Sequence, residues 1–136
     1  MALRVRDWQS RLAACLAERM ARPFAWGSHD CVMFAADCVE ACTGVDPAAG
    51  MRGTYKTATG AARVLKRVGG MEALAAEHLG PEVPPLMAQP GDVGIVHNAG
   101  VECFAVWTGS AWHAPAETGL TPFPPECALR VWRVEK

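Results

Sequence analysis

The chain has 136 residues, 51% of them hydrophobic and 20% charged, which suits one folding unit with a packed core and excludes a disordered, highly charged tail. Thirteen Lys and Arg stand against fourteen Asp and Glu, a net charge of −1, so no basic excess exists to neutralise a phosphate backbone and nucleic acid is not expected as a partner. No stretch offers the ~20 apolar residues of a membrane span, and Arg4, Arg6 and Asp7 interrupt any signal-peptide core near the start.

Taken in chain order, Trp8, Leu12, Cys15, Leu16 and Met20 recur at three- and four-residue spacings, which predicts an amphipathic helix over about 7–20 that ends before Pro23. The segment from Pro23 to Ser28 reads as a tight loop. Ser28 or Asp30 can cap a second helix from Cys31 to Thr43, with Gly44 as its stop. A loop through Arg52-Gly53-Thr54-Tyr55 leads to a third helix over 61–68, with Thr57 or Thr59 as its cap, closed by Gly69-Gly70. A fourth runs over 71–79. Four prolines between Pro81 and Pro90 then break any helix and mark a connector.

Beyond Pro90-Gly91-Asp92 the pattern turns to short strands, expected at 93–96, 101–107, 111–114 and 129–134, with a loop over 115–125. Helices followed by a meander predict an α+β fold, a helical half over about 1–80 packed on one side of an antiparallel sheet over 91–136, in a single domain.

Six cysteines (15, 31, 38, 42, 103, 127) could form three disulfides, but a chain rich in aliphatic side chains does not need them, and most are expected to be reduced, buried thiols. Cys38 and Cys42 are one helical turn apart and, with Cys31 and Phe34, form one stripe expected to face the sheet. Cys15 and Cys127 have no place assigned by the sequence. Cys31 differs from the rest because it opens a helix, where free N–H groups and the dipole favour a thiolate nucleophile. Position alone favours the other reading, a small core residue like Cys38 and Cys42. His29, His78 and His97 are expected to be exposed loop or helix-end residues.

Pro23-Phe24-Ala25-Trp26-Gly27, Asp30-Cys31, Pro90-Gly91-Asp92-Val93, Val106-Trp107-Thr108-Gly109 and Trp112-His113-Ala114 follow in an order that resembles the NlpC branch of papain-like cell-wall cysteine peptidases. With Thr43-Gly44-Val45-Asp46-Pro47, Arg52-Gly53-Thr54-Tyr55 and Gly69-Gly70, the chain is similar to an uncharacterised NlpC-like family encoded among the tail genes of tailed phages and prophages. The resemblance implies a papain-like fold, Cys31 as nucleophile and His113 as the third member of a triad. Cys103 then occupies the place of the base histidine, and Phe24 that of a tyrosine whose hydroxyl would lie beside the thiol. A site lacking both is expected to be degraded, and introducing Cys103→His to recover thiol reactivity. The role implied is a structural component of a tail tip or of tail assembly, made in the host cytoplasm and carried in the virion tail, with other tail proteins as partners. An active enzyme would instead cleave peptidoglycan peptides.

Strand register decides what Cys103 and His113 can share. If Gly109-Ser110 is the turn, residue 106 opposes 113 and the two side chains point apart; a three-residue turn from Thr108 sets 105 against 113 and turns both toward the helices. The resemblance favours the second register. Cys31, Cys103 and His113 would then converge, leaving open a metal-stabilised module or a Cys31–Cys103 disulfide. Three ligands are one short of a closed zinc site, so no metal or cofactor is expected. The two proline-rich segments, with Leu86, Met87, Leu120 and Phe123 as apolar anchors, are the expected contact surface for partners.

Overall fold

The computed structural model describes residues 4–135. Four helices, α1 (Trp8–Arg19), α2 (Cys31–Thr43), α3 (Ala58–Val68) and α4 (Met71–His78), precede a six-stranded sheet. Its strands are β1 (Glu82–Val83), β2 (Val93–Asn98), β3 (Val101–Trp107), β4 (Trp112–Ala116), β5 (Gly119–Phe123) and β6 (Ala128–Trp132). Every pairing is antiparallel and the order is β1-β6-β2-β3-β4-β5. The molecule is therefore an α+β domain with an open antiparallel sheet, as its segregated pattern predicts. No helix among the described residues is long and apolar enough to cross a membrane.

α2 forms where expected and is the central helix. Asp30 accepts the Met33 N–H at 2.9 Å as its N-cap, and Gly44 ends it in the left-handed region at φ +78°. One side meets the sheet: Phe34, Cys38 and Cys42 pack with Leu12, Val93, Ile95, Phe104, Val106 and Trp132. The opposite side, through Met33 and Ala36, is covered by Tyr55 and by Ala61 and Val64 of α3. Cys31 packs at the edge of the sheet-side cluster, as its stripe position requires. α3 begins three residues earlier than the apolar pattern suggests, because Thr57 caps it by accepting the Gly60 N–H at 3.0 Å.

The other face of the sheet has a core of its own, Val96, Ala105, Trp112, Ala114 and Val131. Trp112 lies across β2 so closely that a Cβ on Gly94 would fall 2.9 Å from its ring, which is why β2 carries a glycine at its centre. Two strands run through segments read as loops. β1 sits within the proline connector, and β5, held to β4 from Trp112↔Phe123 to Ala116↔Gly119, within the 115–125 segment. Both are edge strands, where nearby or included prolines are tolerated more readily than in the middle of a sheet. Leu86 and Met87 are exposed, whereas Leu120 and Phe123 pack against the two faces of their own sheet, so only the connector presents the expected apolar anchors.

Candidate functional site

The segment leading into α2 is fixed by a buried carboxylate. Asp30 Oδ1 caps the helix while Oδ2 accepts the Gly27 N–H at 2.8 Å and the Tyr55 hydroxyl at 2.7 Å. Burial, and then the Asp30 bond itself, push the Tyr55 hydroxyl well above the ordinary phenol range, so it remains a donor. Arg52, three residues earlier, bonds Asp46 Oδ2 at 2.7 Å and Asp37 Oδ1 at 2.7 Å. The Arg52-to-Tyr55 motif thus clamps the 46–55 loop onto the N-cap and the middle of α2.

Cys31, the first residue of α2, is thereby held against β3. The residue keeps a partial opening to solvent, but atoms crowd its thiol, and this burial pushes the thiol up to about 12. The Phe104 backbone N–H and the helix's own first amide pull the other way, and the nearby Cys103 and Asp30 raise it further. Burial thus works against the thiolate that a helix head favours. A helix N-terminus contributes at most ~2 kcal/mol to an anion, less than desolvation takes away here. At neutral pH Cys31 is a thiol.

The register of the β3–β4 hairpin is Val106↔His113 and Trp107↔Trp112. The favoured alternative, 105 opposite 113, is not formed, because Trp107 and Trp112 pair at the hairpin end and the Thr108 N–H bonds the Ala111 carbonyl at 3.0 Å, closing a four-residue turn. His113 consequently shares the helix-facing side with Val106, while Cys103 packs with Val96 and Ala105 on the other. Cys31, Cys103 and His113 do not converge. Among the described residues no three His, Cys, Asp or Glu side chains are grouped to hold a metal, and all six cysteines are free thiols.

His113 Nδ1 is buried without a protein partner, and burial lowers the imidazole below its usual range. No hydrogen bond among the described residues joins it to Cys31. His29 corrects the expectation of an exposed loop residue: it has no exposed surface, packs edge-on to Phe34 with ring centres 6.0 Å apart, and neither ring nitrogen has a protein partner. It lies shallow but covered; desolvation, then Arg19 and Arg22, lower its affinity for a proton. His78 and His97 are exposed, as expected.

Two features of this region had no functional reading in the sequence. The Asp30–Tyr55 bond joins two of the motifs that carry the resemblance, and their shared polarity in an apolar setting was the available signal. The other is Cys15, whose sulfur lies 4.0 Å from that of Cys38; Cys15 belongs to the apolar repeat of the first helix, but only the packing of α1 on α2 brings the two sulfurs together.

The fold and site define an α+β domain of four helices on an open antiparallel sheet, with a cysteine heading the central helix and pressed against the third strand. The chain belongs to the family described as a domain of unknown function, DUF6950, whose profile matches residues 3–134. No curated protein and no solved structure matches it.

Proposed function

We propose that this chain is an NlpC-like, papain-fold domain serving as a structural component of a phage or prophage tail, at the tip or in its assembly, with a peptidase site that no longer works. The tail role rests on the resemblance of its motifs. The loss of catalysis is supported by one observation above all: no hydrogen bond among the described residues joins Cys31 to an imidazole, and burial also pushes its thiol up to about 12. Nucleophilic attack needs a thiolate, and amine departure needs a proton donor beside it. Cys103 in the base position faces the far side of the sheet, and Phe24 has no hydroxyl to offer.

Purified protein incubated with peptidoglycan fragments is expected to release no product, and Cys31 to resist alkylation at neutral pH. Turnover that Cys31→Ala abolishes would overturn the inactive reading. Tailed particles produced from the genome that encodes the chain are expected to contain it, detected by mass spectrometry in the tail fraction or in tail-assembly intermediates. Its absence from both would overturn the structural role. One observation favours a second reading, an active Cys31 peptidase or amidase: the unpartnered Nδ1 of His113 on the helix-facing side of the sheet. In that case turnover would be lost in His113→Ala as well as in Cys31→Ala.

A further inference from the structure

α1 and α2 pack side by side, and across their contact the sulfurs of Cys15 and Cys38 are 4.0 Å apart, either able to donate to the other. The two residues differ in environment. Cys38 has no exposed surface, in the middle of the central helix, whereas Cys15 is half-buried on α1 and reachable from solvent. The charges near Cys15 are Arg19 and Glu18 from its own helix and Asp37 from α2. The Cys38 thiol bonded to it and the Arg19 guanidinium favour its ionised form, against its own burial and the two carboxylates, and the balance lies below the usual thiol range. The Cys38 thiol is driven the other way, by that same bond and by burial. An accessible thiol whose ionisation is favoured, 4.0 Å from a buried partner, is the arrangement in which one sulfur attacks and the second resolves.

We propose that Cys15 and Cys38 form a redox-responsive dithiol, which a low-molecular-weight disulfide such as oxidised glutathione converts to an intrachain disulfide tying α1 to α2. The Cys15 thiolate attacks one sulfur of the small disulfide, forming a mixed disulfide and expelling one small thiolate. The Cys38 thiol gives its proton to water and attacks the Cys15 sulfur, expelling the second small thiolate, and the two expelled thiolates take up the two protons that the protein thiols released. The protein dithiol is oxidised by two electrons, and one small disulfide is reduced to two thiols. The sulfurs must close from 4.0 Å to the ~2 Å of a bond. The product would close a ring that contains Phe24, Trp26, His29 and Cys31, so oxidation would restrain the segment that leads into the central helix. This inference is independent of the proposed tail role and of any catalysis at Cys31.

The test is a thiol map of the full chain. Reduced protein is incubated with oxidised glutathione, quenched in acid, alkylated and digested without reduction. The expected result is a Cys15–Cys38 cross-linked peptide with the other four cysteines alkylated, and a melting temperature that rises on oxidation and returns with dithiothreitol. Cys38→Ser should leave glutathione trapped on Cys15, and Cys15→Ser should give neither the cross-link nor a glutathione adduct at Cys38. If Cys38→Ser fails to fold, Cys38→Ala replaces it, and the wild-type map decides by itself. Six alkylated cysteines after oxidation, a cross-link between other cysteines, or a glutathione adduct on Cys38 in Cys15→Ser would each overturn the proposal.

Discussion

At Cys31 a helix N-terminus favours the anion and burial opposes it, and burial prevails. That outcome makes Cys103→His a sharp experiment. The sequence motif suggests that an imidazole there would restore thiol reactivity, but position 103 faces the cluster of Val96 and Ala105, away from the helices. Cys103→His is expected not to bring Cys31 alkylation below pH 8, and a profile shifted below pH 8 would contradict the register. His29 gives a second prediction. Its folded-state proton affinity is lowered by desolvation, so the unfolded chain binds the proton more readily. Stability is therefore complete above the ordinary histidine value of ~6.5 and is lost as pH falls through it toward the lower folded value. His113 is lowered for the same reason and adds to the effect. Urea midpoints from pH 8 to pH 5 should fall, and His29→Leu should flatten the slope, because an apolar side chain there leaves no ring nitrogen without a partner. An unchanged slope would show that His29 is not held neutral. The position of Cys31 was legible in its capping pattern. The covering of His29 was not, since it depends on Phe34 and α1, packed around a loop residue whose neighbours in sequence are all turn formers.

Among elements, the β2–β3 hairpin carries the clearest local strain. Asn98 pairs with Val101, leaving a two-residue turn in which Ala99 has φ +50° and Gly100 φ +83°. Such turns favour Asn-Gly, because an alanine in the left-handed region suffers a Cβ clash worth about 1–2 kcal/mol. Ala99→Asn is expected to stabilise the protein by about 0.5–1 kcal/mol, read as a raised urea midpoint with the same slope; a lower midpoint would show that the turn is not formed this way. Asn98-Ala99-Gly100 signals this hairpin in the sequence, and capping residues set the helix ends well, down to Thr57 beginning α3 ahead of its apolar run. β1 and β5 escaped notice for a physical reason. Prolines such as Pro122 read as breakers, yet Pro122 lies opposite His113 on an edge strand, the place in a sheet where proline is tolerated. The turn between β3 and β4 could not be chosen from sequence either, because both registers use the same Gly109, and the pairing of Trp107 with Trp112 is a tertiary preference.

Across the whole molecule, one buried carboxylate joins the parts. Asp92, in the Pro90-Gly91-Asp92-Val93 motif, has no exposed surface. Its Oδ1 accepts from Arg4 Nη2 at 2.9 Å and from the Val134 N–H at 3.0 Å, and its Oδ2 from the Gln89 N–H at 2.9 Å and Arg133 Nε at 3.0 Å. Arg4 also reaches the Pro90 and Val134 carbonyls, and Arg133 that of Met87. Both ends of the described chain and the connector between its helical and β parts are thus gathered on four acceptor sites. Asp92→Ala would leave two guanidiniums and two backbone N–H groups facing an apolar gap, and removing one partner from such a buried network costs about 3–5 kcal/mol. Asp92→Asn is expected to cost nearly as much, because its amide NH2 would point at groups that are all donors. Arg52→Ala provides the contrast: its ion pairs with Asp37 and Asp46 are partly exposed, and water replaces them at a cost of about 1 kcal/mol or less. Urea denaturation should therefore rank the variants Asp92→Ala, Asp92→Asn, Arg52→Ala, with a wide gap before the last. If Asp92→Asn were as mild as Arg52→Ala, Asp92 would not be the junction that holds the two halves together.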